Sequence, residues 1–295
     1  MNRAVEAPVD LTGHILRLDD HPVAGGSFGN VYRGIYRTTS GQIQVRAPQF
    51  CVFTHGNVVI FSQVAVKALR FLPSADDIRA EPSSTLQRIR REIKIWMKLK
   101  HQNIVPFIGV TAGFGPPEAI SLVSPWIPNG TLTNFLETYG GRLPLISKLW
   151  LLHDIAAGLN YCESLSSAAR IPSDTRRSHW RVACLVDFGL TTVIGGLEGG
   201  SSIASSSHRP GAIRWTAPEL LGDPEICYSP TPKSDIYSFG SVMLQASRLL
   251  FPWYTDRGTT AEFRIIAKLI VGETPPRPDD PPILEKHWIL ISECW

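Results

Sequence analysis

Ala24-Gly-Gly-Ser-Phe-Gly-Asn-Val31, Val64-Ala-Val-Lys67 and Asp187-Phe-Gly189 follow one another along the chain, and their order decides how the rest is read. The glycines of the first let backbone N–H groups approach phosphate oxygens, because no Cβ stands in the way. Lys67 closes an apolar run, where a buried ammonium needs an anion beside it. Asp187 offers carboxylate oxygens, which suit a hard cation such as Mg²⁺. Alone, each piece has a bland reading as a flexible turn, a strand end or a loop acid. Together, in this order, they form a phosphate-handling constellation.

Around these anchors, residues 11–36 alternate apolar and polar positions about glycines and predict a β-hairpin with a Gly-rich tip. Gln49-Phe-Cys-Val-Phe53 and Val58-Val-Ile-Phe61 flank Thr54-His-Gly-Asn57, so the stretch 37–63 predicts a further hairpin. Ser84 with Gln87 three residues on is a capping box, and Leu86, Ile89, Ile93 and Trp96 continue at helical spacing. Glu92 rides the apolar edge of that helix, where it suits Lys67; the alternative is a surface acid among Arg90, Arg91 and Lys94. Strands are expected at Ile104–Val110 and Ala119–Pro125. After Pro128-Asn-Gly130 the pattern turns helical, with Leu149, Leu152, Ile155 and Leu159 in one helix and 234–250 in another. Strands followed by helices predict an α+β chain of two lobes. The domains expected are an N-terminal extension over 1–19, a β-rich lobe over 20–127 with the atypical insert 37–63, and a mostly helical lobe over 128–295.

The chain has 295 residues, is 43% apolar and carries a net charge of +3, with its Lys and Arg spread along it. Bulk electrostatics therefore implies no nucleic-acid or membrane partner. Five cysteines at these spacings read as free buried thiols in a reducing compartment. Neither an apolar leader nor a run of about 18 apolar residues is present, so a cytoplasmic, unanchored protein is expected.

Residues 20–295 resemble a protein kinase domain of the tyrosine-kinase-like group. Ala217-Pro-Glu219 and Lys233-Ser-Asp-Ile-Tyr-Ser-Phe-Gly240 are similar to the end of that family's activation segment and the start of its central lobe helix. The resemblance implies a two-lobed fold with one main helix in the small lobe, and ATP and Mg²⁺ as cofactors. It implies that Gly26, Ser27, Phe28, Gly29 and Val31 cover the nucleotide, with Ala65 beside it. Lys67 then contacts the phosphates and is held by Glu92, while Asp187 binds the metal. Ser124-Pro-Trp-Ile127 matches the adenine-binding hinge, with Ser124 as gatekeeper, the carbonyl of Pro125 as acceptor and the N–H of Ile127 as donor.

The pattern breaks where the family places its catalytic loop. In the best register Pro172 falls at the His, Asp174 at the catalytic Asp, Arg176 at the Lys and His179 at the metal-binding Asn. Imidazole suits softer metals than Mg²⁺. Pro172 lacks the N–H that Asp235 holds in the family, Arg181 falls at the apolar floor of the adenine pocket, and Ala212 stands in place of a Thr. Asp174 reads either as the base or as an ordinary turn aspartate. The 38 residues from Gly29 to Lys67 exceed the family pattern by about 20, which is a genuine hairpin or unspliced coding sequence. Ending at Trp295, the C-lobe is expected to be incomplete, with Glu219 buried and unpaired.

Three readings follow: an enzyme transferring phosphate from ATP to protein Ser/Thr or Tyr, a pseudokinase that binds ATP or scaffolds a signalling partner, and a defective product. The Gly/Ser-rich stretch 195–207 predicts an accessible loop whose phosphorylation is answered by Arg209 or Arg214.

Overall fold

The computed structural model describes residues 7–26, 29–39, 49–54, 57–69, 93–116, 120–166, 182–186, 213–221, 231–279 and 282–295. By its contacts the chain divides into two compact units, Met1–Pro128 with Val186–Gly189 and Asn129–Leu185 with Leu190–Trp295.

The first unit is built on a seven-stranded sheet: β1 (Ile15–Arg17), β2 (Ala24–Gly26), β3 (Gly29–Thr39), β4 (Gln49–Thr54), β5 (Asn57–Leu69), β6 (Gly109–Thr111) and β7 (Ser121–Pro125). Its central path runs β1-β3-β5-β7-β6. Period-two burial along β5 explains why this segment is a strand. Ser62, Val64, Val66 and Ala68 are buried, while Gln63, Ala65 and Lys67 are only half-buried. Val64, Val66 and Ala68 join Leu11, Ile15, Tyr32, Tyr36, Ile108, Phe114 and Val123 in one apolar core.

Both predicted hairpins are present. β2 and β3 pair with Gly26 opposite Gly29, and β4 and β5 pair with Thr54 opposite Asn57. The second hairpin is continuous with the main sheet. β5 runs 13 residues, and one of its edges takes two partners in succession, β4 along 57–62 and β7 along 64–68. Its other edge pairs with β3 over Val59–Leu69.

The expected strand at Ile104–Val110 is shorter than predicted, beginning only at Gly109. Ile104, Val105 and Ile108 are buried as that pattern suggested, but Pro106 has no N–H to give a ladder. Residues 93–98, here α1, are helical, and Trp96 donates its indole N–H to the Val105 carbonyl at 2.6 Å. The capping box at Ser84 lies outside the described residues. The segment before β1 covers the β6 edge: Leu11 N–H donates to Val110 C=O at 2.7 Å and Val110 N–H to Val9 C=O at 2.9 Å.

The second unit holds α2 (Leu132–Tyr139), α3 (Leu145–Ser166), α4 (Pro232–Arg248), α5 (Ala261–Ile270) and α6 (Glu285–Ser292). α4 starts with a capping box between Thr231 and Ser234 and carries Pro232 in its first turn. Along α3 the buried stripe runs through Leu151 and Leu152, so Leu149, predicted on the apolar repeat, lies at its margin and is 40% exposed. α6 packs against α4 where a Cβ on Gly240 would come within 2.6 Å of Cys294 Cβ and 2.9 Å of Trp295 Nε1. Among the described residues, no helix is long and apolar enough to cross a membrane.

Candidate functional site

Register places the predicted nucleotide residues of the sheet on one face. Val31 lies opposite Lys67, and Lys67 opposite Leu122; one step along, Arg33 lies opposite Ala65, and Ala65 opposite Ser124. Directly opposed residues share a face, as do residues two apart along a strand. Val31, Ala65, Lys67 and Ser124 therefore stand together on the face turned away from the Val64–Val66 core. Ser124 is 7% exposed, and the other three are half-buried. Arg33 shares the face, where its guanidinium donates to Asp19 at 3.1 and 3.3 Å and lies 5.8 Å from the centre of the Trp126 ring.

The ladder also explains the proline at 125. Trp126 N–H donates to Gln63 C=O at 3.1 Å, which fixes the odd-numbered residues of β5 as those bonded toward β7. Pro125 is opposite Val64, in a pair that exchanges no hydrogen bond, so its missing N–H costs nothing and its carbonyl points away from β5. Ile127 is 42% exposed, and its N–H has no hydrogen-bond partner among the described residues. Gly29 has a structural reason to be glycine: a Cβ there would overlap the Ala68 carbonyl oxygen. Gly26 sits opposite it at the end of β2. Ser27, Phe28, Glu92, Asp174 and Asp187 lie outside the described residues, as do Pro172, His179, Arg181, Arg209, Ala212 and the stretch 195–207.

In the second unit Asp235, expected to anchor the catalytic loop, is half-buried near the start of α4. Burial, and then the charge of Glu163, pushes its carboxyl up to about 6. The Cys162 thiol is pushed up to about 11 by burial, Asp235 and Glu163. Cys162, Cys184 and Cys294 are free but only half-buried, less enclosed than expected. Two expectations are corrected. Glu219 is exposed, so it is solvated and carries no burial penalty. Arg214 donates to the carbonyls of Pro252, Trp253 and Asp256 at 3.0, 2.8 and 2.7 Å and is already committed to the turn at 252–256.

That turn holds the residue the sequence reading missed. Asp256, 5% exposed, accepts from Arg264 Nε at 3.2 Å and Lys268 Nζ at 2.8 Å. Burial pushes its carboxyl up, but the Lys268 and Arg264 contacts outweigh that and hold it below the usual value. The available signal was the pair of cations four apart on α5. Asp154 on α3 was missed as well; it accepts the Ala183 N–H at 3.2 Å. Among the described residues no group of three His, Cys, Asp or Glu is arranged to hold a metal.

A family model described as protein tyrosine and serine/threonine kinase matches residues 19–295. The chain belongs to that family. Its sheet unit and helical unit are those of the two-lobed α+β protein-kinase fold, and the family generally uses ATP and Mg²⁺. Similar proteins include the probable serine/threonine-protein kinase SIS8 of Arabidopsis thaliana, 28% identical over 92% of this chain and 22% of that protein. Receptor-interacting serine/threonine-protein kinase 3 of Rattus norvegicus is 30% identical over 71% of this chain and 45% of its own length. Atrial natriuretic peptide receptor 2 of Anguilla japonica is 28% identical over 71% of this chain and 20% of its own length. This chain spans less than half the length of each of these three relatives.

Proposed function

We propose that this kinase domain binds Mg-ATP on the half-buried face of its sheet, and that binding is better preserved than phosphoryl transfer. The observation that carries the reading is the register that sets Val31, Ala65, Lys67 and Ser124 side by side. The outward Pro125 carbonyl and the Ile127 N–H, unpartnered among the described residues, offer an acceptor and a donor two residues apart. That pair suits the edge of a heterocycle presenting the reverse order. Val31 and Ala65 supply apolar surface for a ring, and Lys67 supplies a cation for phosphate oxygens. Glu92 is assigned to hold Lys67, with charged atoms within about 4 Å. Gly26, Ser27, Phe28 and Gly29 are assigned to the phosphates, and Asp187 to Mg²⁺. Bound Mg-ATP supplies the phosphoryl group for a protein Ser, Thr or Tyr hydroxyl. Asp174 is the residue available to orient that hydroxyl.

Transfer demands closer placement than binding does. Pro172, His179 and Arg181 depart from the family in the segment responsible for that placement. A second reading therefore stands beside the first, a pseudokinase acting through a protein partner. It is favoured also by a similar protein whose name is that of a receptor and not a kinase. Thermal shift with Mg-ATP and radiolabelled transfer to a generic protein substrate separate the two. Stabilisation without transfer selects the pseudokinase. Transfer abolished by Asp174→Asn selects the enzyme, and neither effect refutes nucleotide binding.

A further inference from the structure

Residues 182–186 carry no site residue of their own, yet the chain passes through them immediately before Asp187. The chain also changes unit here: Leu185 counts with the helical unit and Val186–Gly189 with the sheet unit. Whatever fixes this run within the helical unit sets the point from which the chain leaves for Asp187. Apolar packing gives it little hold, because Val182 and Val186 are exposed and residues 183–185 only half-buried.

A polar tie supplies what packing does not. Asp154 on α3 is 17% exposed, and its Oδ2 accepts the Ala183 N–H at 3.2 Å. A carboxylate so enclosed needs a donor, and a bond to an ionised acceptor is stronger than one between neutral groups. The other oxygen, Oδ1, lies 3.7 Å from the exposed His153. Cys184, next in the run, is within the field of the same acid: burial, and then the charge of Asp154, pushes its thiol up to about 11. The helix beneath is firmly placed. α3 is 22 residues long, and Leu152, two residues before Asp154, is buried in one apolar core with Met243 and Leu244 of α4.

We propose that Asp154 is a positioning residue for metal binding: by holding Ala183 to α3, it fixes the run that delivers Asp187 to Mg²⁺. This rests on the assignment of Asp187 to the metal and adds to it a residue that acts through the backbone. An acid that served stability alone would lower the melting temperature and leave the metal dependence unchanged.

The test compares three variants of the full chain with the parent. Asp154→Leu removes the acceptor, Ala183→Pro removes the donor, and Asp154→Asn keeps an acceptor oxygen. The first readout is thermal shift at fixed ATP, titrated with MgCl₂ from an EDTA baseline. The Mg²⁺ concentration giving half of the metal-dependent shift should rise about 10-fold in Asp154→Leu and Ala183→Pro, the low end for groups that act on a metal through its ligand. Asp154→Asn should stay near the parent. The second readout needs no nucleotide: the rate at which iodoacetamide alkylates Cys184, followed by peptide mass spectrometry, should rise in Ala183→Pro, which leaves the Asp154 charge in place. If Asp154→Leu does not melt cooperatively, Ala183→Pro decides. A parent with no metal-dependent shift refutes the assignment of Asp187 and this inference with it. A parent shift whose Mg²⁺ midpoint is the same in Asp154→Leu and Ala183→Pro overturns the inference alone. So does an unchanged Cys184 rate in Ala183→Pro, or an Asp154→Asn midpoint displaced as far as that of Asp154→Leu.

Discussion

Among the described residues, the buried set of the sheet unit contains no charged side chain, whereas that of the helical unit contains Asp256, 5% exposed between Arg264 and Lys268. The sheet achieves this through its pleat. Each strand sends alternate residues to opposite faces, so Lys67 and Arg33 stand on the open face while Val64 and Val66 fill the core. The helical unit has a turn at 252–256 to tie down, and carbonyls in a turn need donors. Arg214 supplies them, and Asp256 bonds the same turn to α5. Burial of charge thus differs between the units: the pleat keeps Lys67 and Arg33 out of the core in one, and fastening a loop draws Asp256 inside in the other.

The comparison breaks most severely at Asp256. Replacing it by Ala leaves Arg264 and Lys268 without their acid, and loss of one partner from a buried pair costs about 3–5 kcal/mol. Both cations reach solvent, at 45% and 34% exposure, so neither is stranded as a buried charge and the loss falls below that range, at the about 1.5–3 kcal/mol of charged hydrogen bonds. The denaturant midpoint should fall accordingly, with hydrogen exchange rising first in α5. Equal loss of protection throughout the sheet unit would contradict the separation drawn here. Next in size is Gly240→Ala, where the new methyl meets Cys294 Cβ and Trp295 Nε1. Overpacking of this kind costs about 1–3 kcal/mol. An unchanged melt would show that α6 does not sit against α4 as described.

Much of the sheet unit was readable because its signals are local. The glycines around 24–29, the Thr54-His-Gly-Asn57 stretch between two apolar runs and the alternation around Val64 and Val66 announce hairpins and a core face directly. What escaped was the length of β5, since no short-range signal says that a hairpin and a central strand are one continuous segment. The strand forecast from Ile104 came out short because buried apolar residues outside a strand read like residues within one, and Pro106 has no N–H to give a ladder. In the site, the residue types of Val31, Ala65, Lys67 and Ser124 were legible, but their sharing of one face is a property of register. Asp256 escaped for a related reason: its partners lie 8 and 12 residues away, on a helix whose placement only the tertiary fold supplies.

Acid and base pull the helical unit in opposite directions. Asp256, held below its usual value, contributes stability that is present above the unfolded pKa and lost as pH falls through its lower folded value. Asp235 works the other way. Its folded carboxyl titrates near 6 against 3.8, so its contribution is full below about pH 4 and lost as pH rises through about 6. Asp235→Asn should therefore flatten the stability profile between about pH 4 and pH 6 while leaving the acid limb intact. A decline of unchanged steepness over that window would show that another group is responsible.

The smallest change in stability is expected on the sheet's open face. Lys67→Met keeps the apolar stem of a half-buried side chain and removes only the ammonium, and partly exposed ion pairs contribute about 0–1 kcal/mol. Its melting temperature without nucleotide should thus stay close to that of the parent, in contrast to Asp256→Ala. The shift produced by Mg-ATP should nonetheless shrink or vanish, because the cation placed between Val31 and Leu122 is the charge proposed to meet the phosphates. The contrast can fail in two distinguishable ways. A large fall in the unliganded melt would mean that Lys67 fastens structure as Asp256 does. An unliganded melt like the parent's, with a full-sized Mg-ATP shift, would mean that the open face is not where nucleotide binds.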